Sequence, residues 1–171
     1  MPRQSPNRKW TAFALGYTAL TGLDLWTKSW ALRTLEWGTP RPGIGDWLPF
    51  TLSFNRGAAF SFSVGPASRY VFAGVSVVAL VWLLHLYWTS RPTERVKRAA
   101  VILVASGASG NLWDRVRWDR GVVDFLGPVD LGFMTWPVFN VADCAISVGA
   151  GLLLISLYLE DRAAAKALAP D

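Results

Sequence analysis

The chain has 171 residues, of which 52% are hydrophobic and 17% charged, and it carries a formal net charge of +5. Ordinary globular chains contain about 25% charged residues, so this composition favours a membrane protein. A single cysteine excludes an intramolecular disulfide, and a single histidine leaves a His- or Cys-rich metal site without enough ligands. We therefore predict neither a metal nor another cofactor. The basic residues lie at the ends of apolar stretches, which favours a role in membrane orientation and argues against a nucleic-acid partner.

Four apolar stretches predict four transmembrane helices within a single domain that covers residues 1–171. They lie at about residues 10–35, 70–88, 99–115 and 139–159. Each approaches the roughly 20 residues that a helix needs to cross about 30 Å of hydrocarbon. The first stretch follows a basic N-terminus, as the core of a signal peptide does, but it is longer and contains Asp24 and Lys28. We therefore expect it to be a retained span.

The distribution of basic residues predicts the orientation of the chain. Between the second and third stretches lie four cations and one opposing carboxylate, that of Glu94. The four cations are Arg91, Arg95, Lys97 and Arg98. Such a density of Lys and Arg marks a cytoplasmic loop. Both termini are then expected on the cytoplasmic side, and the connections at 36–69 and 116–137 on the outer side.

The two outer connections are rich in glycine and proline and contain short segments with strand character. These segments are residues 47–54 and 58–64 in the first connection and 121–126 in the second. Alternating or β-branched runs bounded by Gly and Pro are typical of short strands. We expect a small β-sheet on the outer membrane surface. The predicted fold class is a membrane all-α protein with a small β element.

Charged residues within the predicted spans need an explanation, because a charge in hydrocarbon costs about 3 kcal/mol on insertion scales. Asp24 and Lys28 are four residues apart on one helix, where they share a face and can pair. We predict a structural ion pair at the outer end of the first span, with a proton relay as the alternative role. Gly107 and Gly110 are about one turn apart in the third stretch and predict close helix packing.

Asp143 lies about one turn inside the fourth stretch and has no basic residue nearby in sequence. A capping or interfacial role is one interpretation, because Asn140 near the start of the stretch suits a helix N-terminus. The depth of Asp143 leaves it without an evident structural role, which favours a functional one. For Asp114 and Arg115, at the end of the third stretch, a role as interface anchors is one interpretation.

Asp124 follows the apolar run at 121–123 and precedes Phe125. Such neighbours predict a partly desolvated carboxyl group with a raised pKa. If Asp124 faced Asp143, the two groups could share one proton and provide a general acid and a general base near neutral pH. The sequence alone does not show that the two side chains meet.

Five short strings, in this order along the chain, resemble the lipoprotein signal peptidases, the type II signal peptidases of bacterial inner membranes. They are DLWTK at 24–28, NRGAAF at 55–60, GNLWDR at 110–115, VVDF at 122–125 and FNVADCAI at 139–146. Each string alone carries little information. Five together, in a chain with four predicted spans, are highly specific.

The resemblance implies an aspartyl endopeptidase that acts on diacylglyceryl-modified prolipoproteins and cuts on the amino side of the lipid-bearing cysteine. It implies that Asp124 and Asp143 form the catalytic dyad. The supporting or substrate-binding positions that it implies are Asn55, Gly57, Asn111, Asp114, Arg115 and Asn140. The implied architecture is four transmembrane helices with an extracytoplasmic β-cradle and a mobile outer loop at 127–137.

The same resemblance implies a multi-pass protein of the bacterial inner membrane, with its site near the outer face. Membrane lipid and globomycin-type inhibitors are the further partners that we expect, and the protein is expected to be a monomer. Two positions depart from the usual family pattern: Ser106 replaces a glycine, and Cys144 replaces a small or hydroxyl residue. We expect Cys144 to be a buried small apolar residue.

Two other functions remain open from the residues alone. In a proton-coupled membrane transporter, Asp24, Lys28 and Asp143 would be relay groups, although transporters are expected to place such charges near the bilayer midplane. A non-enzymatic factor that binds lipidated segments would need an apolar groove and Arg115 but would tolerate the loss of either aspartate.

Overall fold

Four long α-helices form the frame of the protein, whose computed structural model describes residues 6–57 and 65–168. The helices are α1 (Pro6–Thr34), α2 (Ser68–Thr89), α3 (Arg95–Arg117) and α4 (Val141–Leu168). The shortest has 22 residues, which corresponds to about 33 Å at 1.5 Å per residue. All four predicted apolar stretches are therefore helical.

Two of these helices have both the length and the apolar composition that a membrane span requires. They are the segments Gly65–Thr89 and Val141–Arg162 within the part of the chain that the structure describes. The most apolar window of the first is only 11% buried inside the protein, so most of its side chains have no protein partner. Four helices are present, but a count of four spans stays a prediction.

Helix α3 lies at the centre of the bundle, where it packs against α1, α2 and α4. Small residues permit this close approach. A Cβ atom added to Gly107 would lie 2.4 Å from the carbonyl oxygen of Ala142 on α4, and one added to Gly110 would lie 2.1 Å from Asp24 Oδ2 on α1. The predicted packing role of both glycines is confirmed, because any side chain would separate the helices.

An aromatic cluster packs α1 against α2 and α3 at the end of the bundle that carries the basic α2–α3 connection. Tyr87 is completely buried there, and its hydroxyl group donates a hydrogen bond of 2.8 Å to the Lys9 carbonyl oxygen. Trp10 and Phe13 contact the Tyr87 ring with centroid distances of 5.3 and 4.7 Å. This half of the bundle is therefore held by ring packing.

A three-stranded antiparallel sheet lies at the opposite end. Its strands, in the order β1-β2-β3, are β1 (Arg41–Gly43), β2 (Gly45–Asn55) and β3 (Val122–Leu126). The strands predicted at 47–54 and 121–126 are confirmed, whereas the one predicted at 58–64 lies outside the described residues. The predicted outer loop at 127–137 contains a short hairpin of β4 (Val129–Asp130) and β5 (Thr135–Trp136).

An apolar cluster fixes the sheet on the end of α1. Ala31 and Leu35 of α1 pack there with Leu52 of β2 and with Val123 and Phe125 of β3. Because side chains alternate along a strand, one would expect Asp124 to face away from this cluster. The apolar contacts of its two neighbours therefore hold the carboxyl group in a fixed direction.

The contact between α3 and α4 leads to a prediction about stability. Gly107→Ala places a methyl group 2.4 Å from a backbone oxygen, and overpacking of this kind costs about 1–3 kcal/mol. We expect a lower thermal transition for this variant in detergent. Gly151→Ala is the matched control, because nothing lies within 4 Å of an added Cβ on that α4 glycine. Equal transitions for the two variants would contradict the packing described.

Candidate active site

Asp124 lies in the middle of β3, opposite Ser53 of β2, and is 2% exposed. Its Oδ1 atom accepts a hydrogen bond of 2.7 Å from Asn140 Nδ2, and the side chain of Asn55 also hydrogen-bonds the carboxyl group. Burial, followed by the charge of Asp143, raises the pKa of Asp124 to about 8. The carboxyl group is therefore mainly protonated at neutral pH, as its apolar neighbours in sequence predict.

Asp143 lies in the first turn of α4, because the helix begins at Val141, two residues after the predicted start at 139. Its Oδ2 accepts a hydrogen bond from the backbone N–H of Asn140 at 3.2 Å, and its own N–H donates to Asn140 Oδ1 at 2.9 Å. These reciprocal bonds have the geometry of a capping box, with Asp at the position usually held by Glu or Gln. The expectation that Asp143 has no structural role is therefore wrong.

Asn140 joins the two aspartates. This completely buried residue accepts the Asp143 N–H at its side-chain oxygen, and its side-chain nitrogen donates to Asp124. The same nitrogen lies 3.2 Å from the Val123 carbonyl oxygen and 3.1 Å from Asn111 Oδ1. One amide group thus brings strand β3 and helix α4 together with a carboxyl group on each side.

The ion pair predicted between Asp24 and Lys28 is present, with Lys28 Nζ 2.9 Å from Asp24 Oδ2. The ammonium group also lies 3.0 Å from Asp114 Oδ2 and 2.9 Å from Asn111 Oδ1. The Asn111 amide nitrogen in turn donates to Asp143 Oδ1 at 2.9 Å. The pair is therefore the centre of a buried network that reaches the aspartates.

Asp24 and Asp114 also bind the backbone next to each candidate catalytic residue. Asp24 Oδ1 accepts the N–H of Ala142 at 2.9 Å, and Asp114 Oδ2 accepts the N–H of Val123 at 3.1 Å. The interpretation of Asp114 and Arg115 as interface anchors is wrong, because they are only 3% and 9% exposed. Their side chains point into the protein, where a charged group needs the partners that this network provides.

Arg115 connects α3 to the segment that follows β2. Its guanidinium group donates to the carbonyl oxygens of Gly57 at 2.9 Å and Asn111 at 3.2 Å, and the Gly57 N–H donates to Asn55 Oδ1 at 2.9 Å. Asn55 and Gly57 are thus positioned beside Asp124. All of the candidate residues inferred from the sequence converge on one region, at the ends of the helices that carry the three-stranded sheet.

Arg69 was not among the candidate residues. Its guanidinium group donates to the carbonyl oxygens of Arg115 and Val116, and it pairs with the carboxylate of Asp119. It thereby ties the start of α2 to the end of α3. An arginine near a predicted span is usually an orientation signal, so no pattern in the sequence indicated this contact.

Cys144 also differs from the expectation, because its side chain is exposed on α4 and is not buried. Within residues 6–57 and 65–168, no three His, Cys, Asp or Glu side chains converge as metal ligands would. The contacts of the two aspartates come from amide groups. One carboxyl group with a raised pKa and a second whose two oxygens each accept an N–H thus contact the same Asn140, and two carboxyl groups in such different surroundings are able to act as a general acid and a general base.

Comparisons with known proteins show the family of the chain. Residues 17–159 match the sequence model of the family described as signal peptidase (SPase) II. A lipoprotein signal peptidase of Azoarcus sp. is 44% identical over 138 residues, which cover 80% of this chain and 76% of the relative. The lipoprotein signal peptidase of Psychromonas ingrahamii is 36% identical over 146 residues, which cover 84% of this chain and 83% of the relative.

A solved structure described as a bacterial membrane enzyme superimposes with a TM-score of 0.79 at 25% identity, covering 88% of this chain and 90% of the other. A second one, with the same description, gives a TM-score of 0.75 at 26% identity and covers 86% and 92%. The family match spans all four helices and both outer connections. The chain therefore belongs to the signal peptidase II family.

Proposed function

We propose that this protein is an intramembrane aspartyl endopeptidase that removes signal peptides from diacylglyceryl-modified bacterial prolipoproteins. The observation that carries the proposal is the pair formed by the buried Asp124 and the half-buried Asp143, both of which hydrogen-bond Asn140. Membership of the signal peptidase II family supports peptide-bond hydrolysis as the reaction. The names of the relatives support lipoproteins as the substrate class. Cleavage is proposed on the amino side of the lipid-bearing cysteine.

The reaction uses the different protonation states of the two aspartates. A water molecule between them gives a proton to the Asp143 carboxylate while its oxygen attacks the scissile carbonyl carbon. The protonated Asp124 donates its proton to the carbonyl oxygen, which gives a neutral tetrahedral intermediate. When the C–N bond breaks, Asp143 returns a proton to the leaving amine and the intermediate returns one to Asp124. The products are a free carboxyl group and the amino group of the lipidated cysteine.

We place the protein in the inner membrane as a monomer with four spans, both termini in the cytoplasm and the site near the outer face. The charges of α1 support its role as a span, because Asp24 and Lys28 are 1% and 2% exposed and do not face lipid. The cationic connection between α2 and α3 lies at the end opposite the sheet. That arrangement supports a position of Asp124 and Asp143 on the outer side, where the acyl chains of a substrate would anchor its cysteine.

The hairpin between β3 and α4 supports a role in covering the substrate. Leu131, Phe133 and Trp136 are exposed apolar residues on this segment, and the predicted outer loop at 127–137 contains them. A loop that closes over a site excludes water from the reaction. Globomycin-type peptides are proposed to bind at the same site as the substrate, next to this hairpin, and to compete with it.

A proton-coupled transporter is the second candidate function. The chain of hydrogen bonds from Asp24 through Lys28 and Asn111 to Asp143 is the observation that favours it. Transport needs a path across the whole membrane. The far half of the bundle is packed with apolar and aromatic side chains around Tyr87, which favours the peptidase.

Replacement of either aspartate tests the proposed function. Purified Asp124→Asn and Asp143→Asn variants are expected to cleave a diacylglyceryl-modified prolipoprotein at least about 100-fold more slowly than wild type, because each loses an acid or a base. Asp161→Asn is the matched control, since Asp161 is exposed at the other end of α4. Thermal transitions in detergent verify folding. Near-normal cleavage by a folded dyad variant would defeat the mechanism.

The raised pKa of Asp124 predicts the alkaline side of the pH–rate profile. Below its pKa of about 8 the carboxyl group can donate a proton, and above this value it cannot. We expect kcat/KM to fall by about tenfold per pH unit well above pH 8, as for loss of one essential proton. The decline in kcat/KM is measured from initial cleavage rates of wild type and Asp161→Asn between about pH 6 and pH 10. A flat profile over this range would contradict the assignment of Asp124 as the acid.

The same carboxyl group predicts how stability depends on pH. Its pKa is about 8 in the folded protein and 3.8 ordinarily, so between these values the folded state binds more protons than the unfolded state. Its contribution to stability is therefore greatest at low pH and is lost as the pH rises from about 4 to about 8. The thermal transition of Asp124→Asn should show a smaller decline over this range than that of wild type. Identical slopes would contradict the raised pKa.

A further inference from the structure

The buried ammonium group of Lys28 has three partners, which match its three N–H donors. They are the carboxylates of Asp24 and Asp114, at 2.9 and 3.0 Å, and the side-chain oxygen of Asn111 at 2.9 Å. The Lys28 side chain is only 3% exposed. Solvent therefore has little access to the ammonium group. Each of its three N–H donors, including the one directed at Asn111, has a protein acceptor.

This contact determines which way the Asn111 amide points. An ammonium group only donates hydrogen bonds, so it can be paired with the oxygen of an amide but not with its nitrogen. A flipped Asn111 would place its NH₂ group against the Lys28 ammonium and its oxygen against the Asp143 carboxylate, which are two repulsive contacts. Asn140 Nδ2, 3.1 Å from the Asn111 oxygen, favours the same orientation.

With its oxygen held, Asn111 can only present its nitrogen to Asp143, as the 2.9 Å contact to Oδ1 shows. Asp143 Oδ2 accepts the backbone N–H of Asn140, so both carboxylate oxygens receive a hydrogen bond. Lys28 thus selects the direction of the N–H donor that Asn111 offers to the Asp143 carboxyl group.

We propose that Lys28 is a positioning residue for the peptidase reaction, because it fixes the Asn111 amide with its nitrogen towards Asp143. This inference rests on the proposed function and deepens it. Lys28 acts indirectly, through Asn111, and contacts neither the reacting atoms nor the substrate. Its effect belongs to the chemical step and not to substrate binding.

A double-mutant cycle tests this route. Lys28→Met and Asn111→Leu are each expected to lower kcat by about 10- to 100-fold, with KM changed by less than about twofold, because ground-state binding is untouched. The double variant is expected to lose less kcat than the product of the two single losses, because the route from Lys28 through Asn111 is shared by both substitutions. A purely structural role for Lys28 would give losses that multiply in the double variant, and that result would overturn the proposal.

Thermal transitions in detergent establish that each variant is folded. If Lys28→Met does not fold, Lys28→Gln replaces it throughout the cycle, because a neutral amide keeps polar contacts but can accept as well as donate. The same two outcomes then apply. A folded Lys28 variant with the kcat of wild type would also overturn the proposal.

Wild type and Asp143→Asn are measured in parallel on the same lipidated substrate. A wild-type protein that does not cleave it defeats the proposed function itself. Multiplying losses in an enzyme that cleaves, and that needs Asp143, defeat only the role of Lys28. The two failures are therefore distinguishable.

Discussion

The buried positive charge of Lys28 is the constraint on which the rest of the site depends. A buried charge costs several kcal/mol unless it is paired and hydrogen-bonded, and Lys28 is paired with Asp24 and Asp114. The two carboxylates then use further oxygen contacts to hold backbone N–H groups of α4 and β3. One charge on α1 thus determines where the helix and the strand that carry the aspartates begin and lie.

Asn140 acts together with Lys28, because it hydrogen-bonds both of the elements that meet at the site. The residue before it, Phe139, is bridged to Leu126 at the end of β3, and the residue after it starts α4. Strand pairing and helix capping thereby meet at one position in the chain. The sequence separation of 16 between Asp124 and Asn140 is consequently no obstacle to a fixed contact between them.

The sequence predicts the features that depend on local periodicity and composition. Apolar length predicts the helices, the spacing of four residues predicts the pair of Asp24 and Lys28, and β-branched residues between breakers predict β2 and β3. The contacts of Asp114 with Val123 and of Lys28 with Asn111 could not be predicted in this way, because they join distant segments. Hydropathy does not locate a helix start to within two residues. Because α4 starts two residues later than predicted, Asp143 lies in its first turn and caps the helix, whereas the predicted start placed it deeper in the span.

Asp143 caps α4 and is also a proposed catalytic residue, and one substitution can separate these two roles. The capping bond needs only an oxygen that accepts the Asn140 N–H, and the amide of an asparagine provides one. The chemistry needs a carboxylate, which an amide cannot replace. Substitution of Asp by Asn at this position therefore removes the charge while it can retain the cap, provided that the new amide oxygen faces the N–H. Stability and the proposed catalysis share the same atoms here, but they depend on different properties of those atoms.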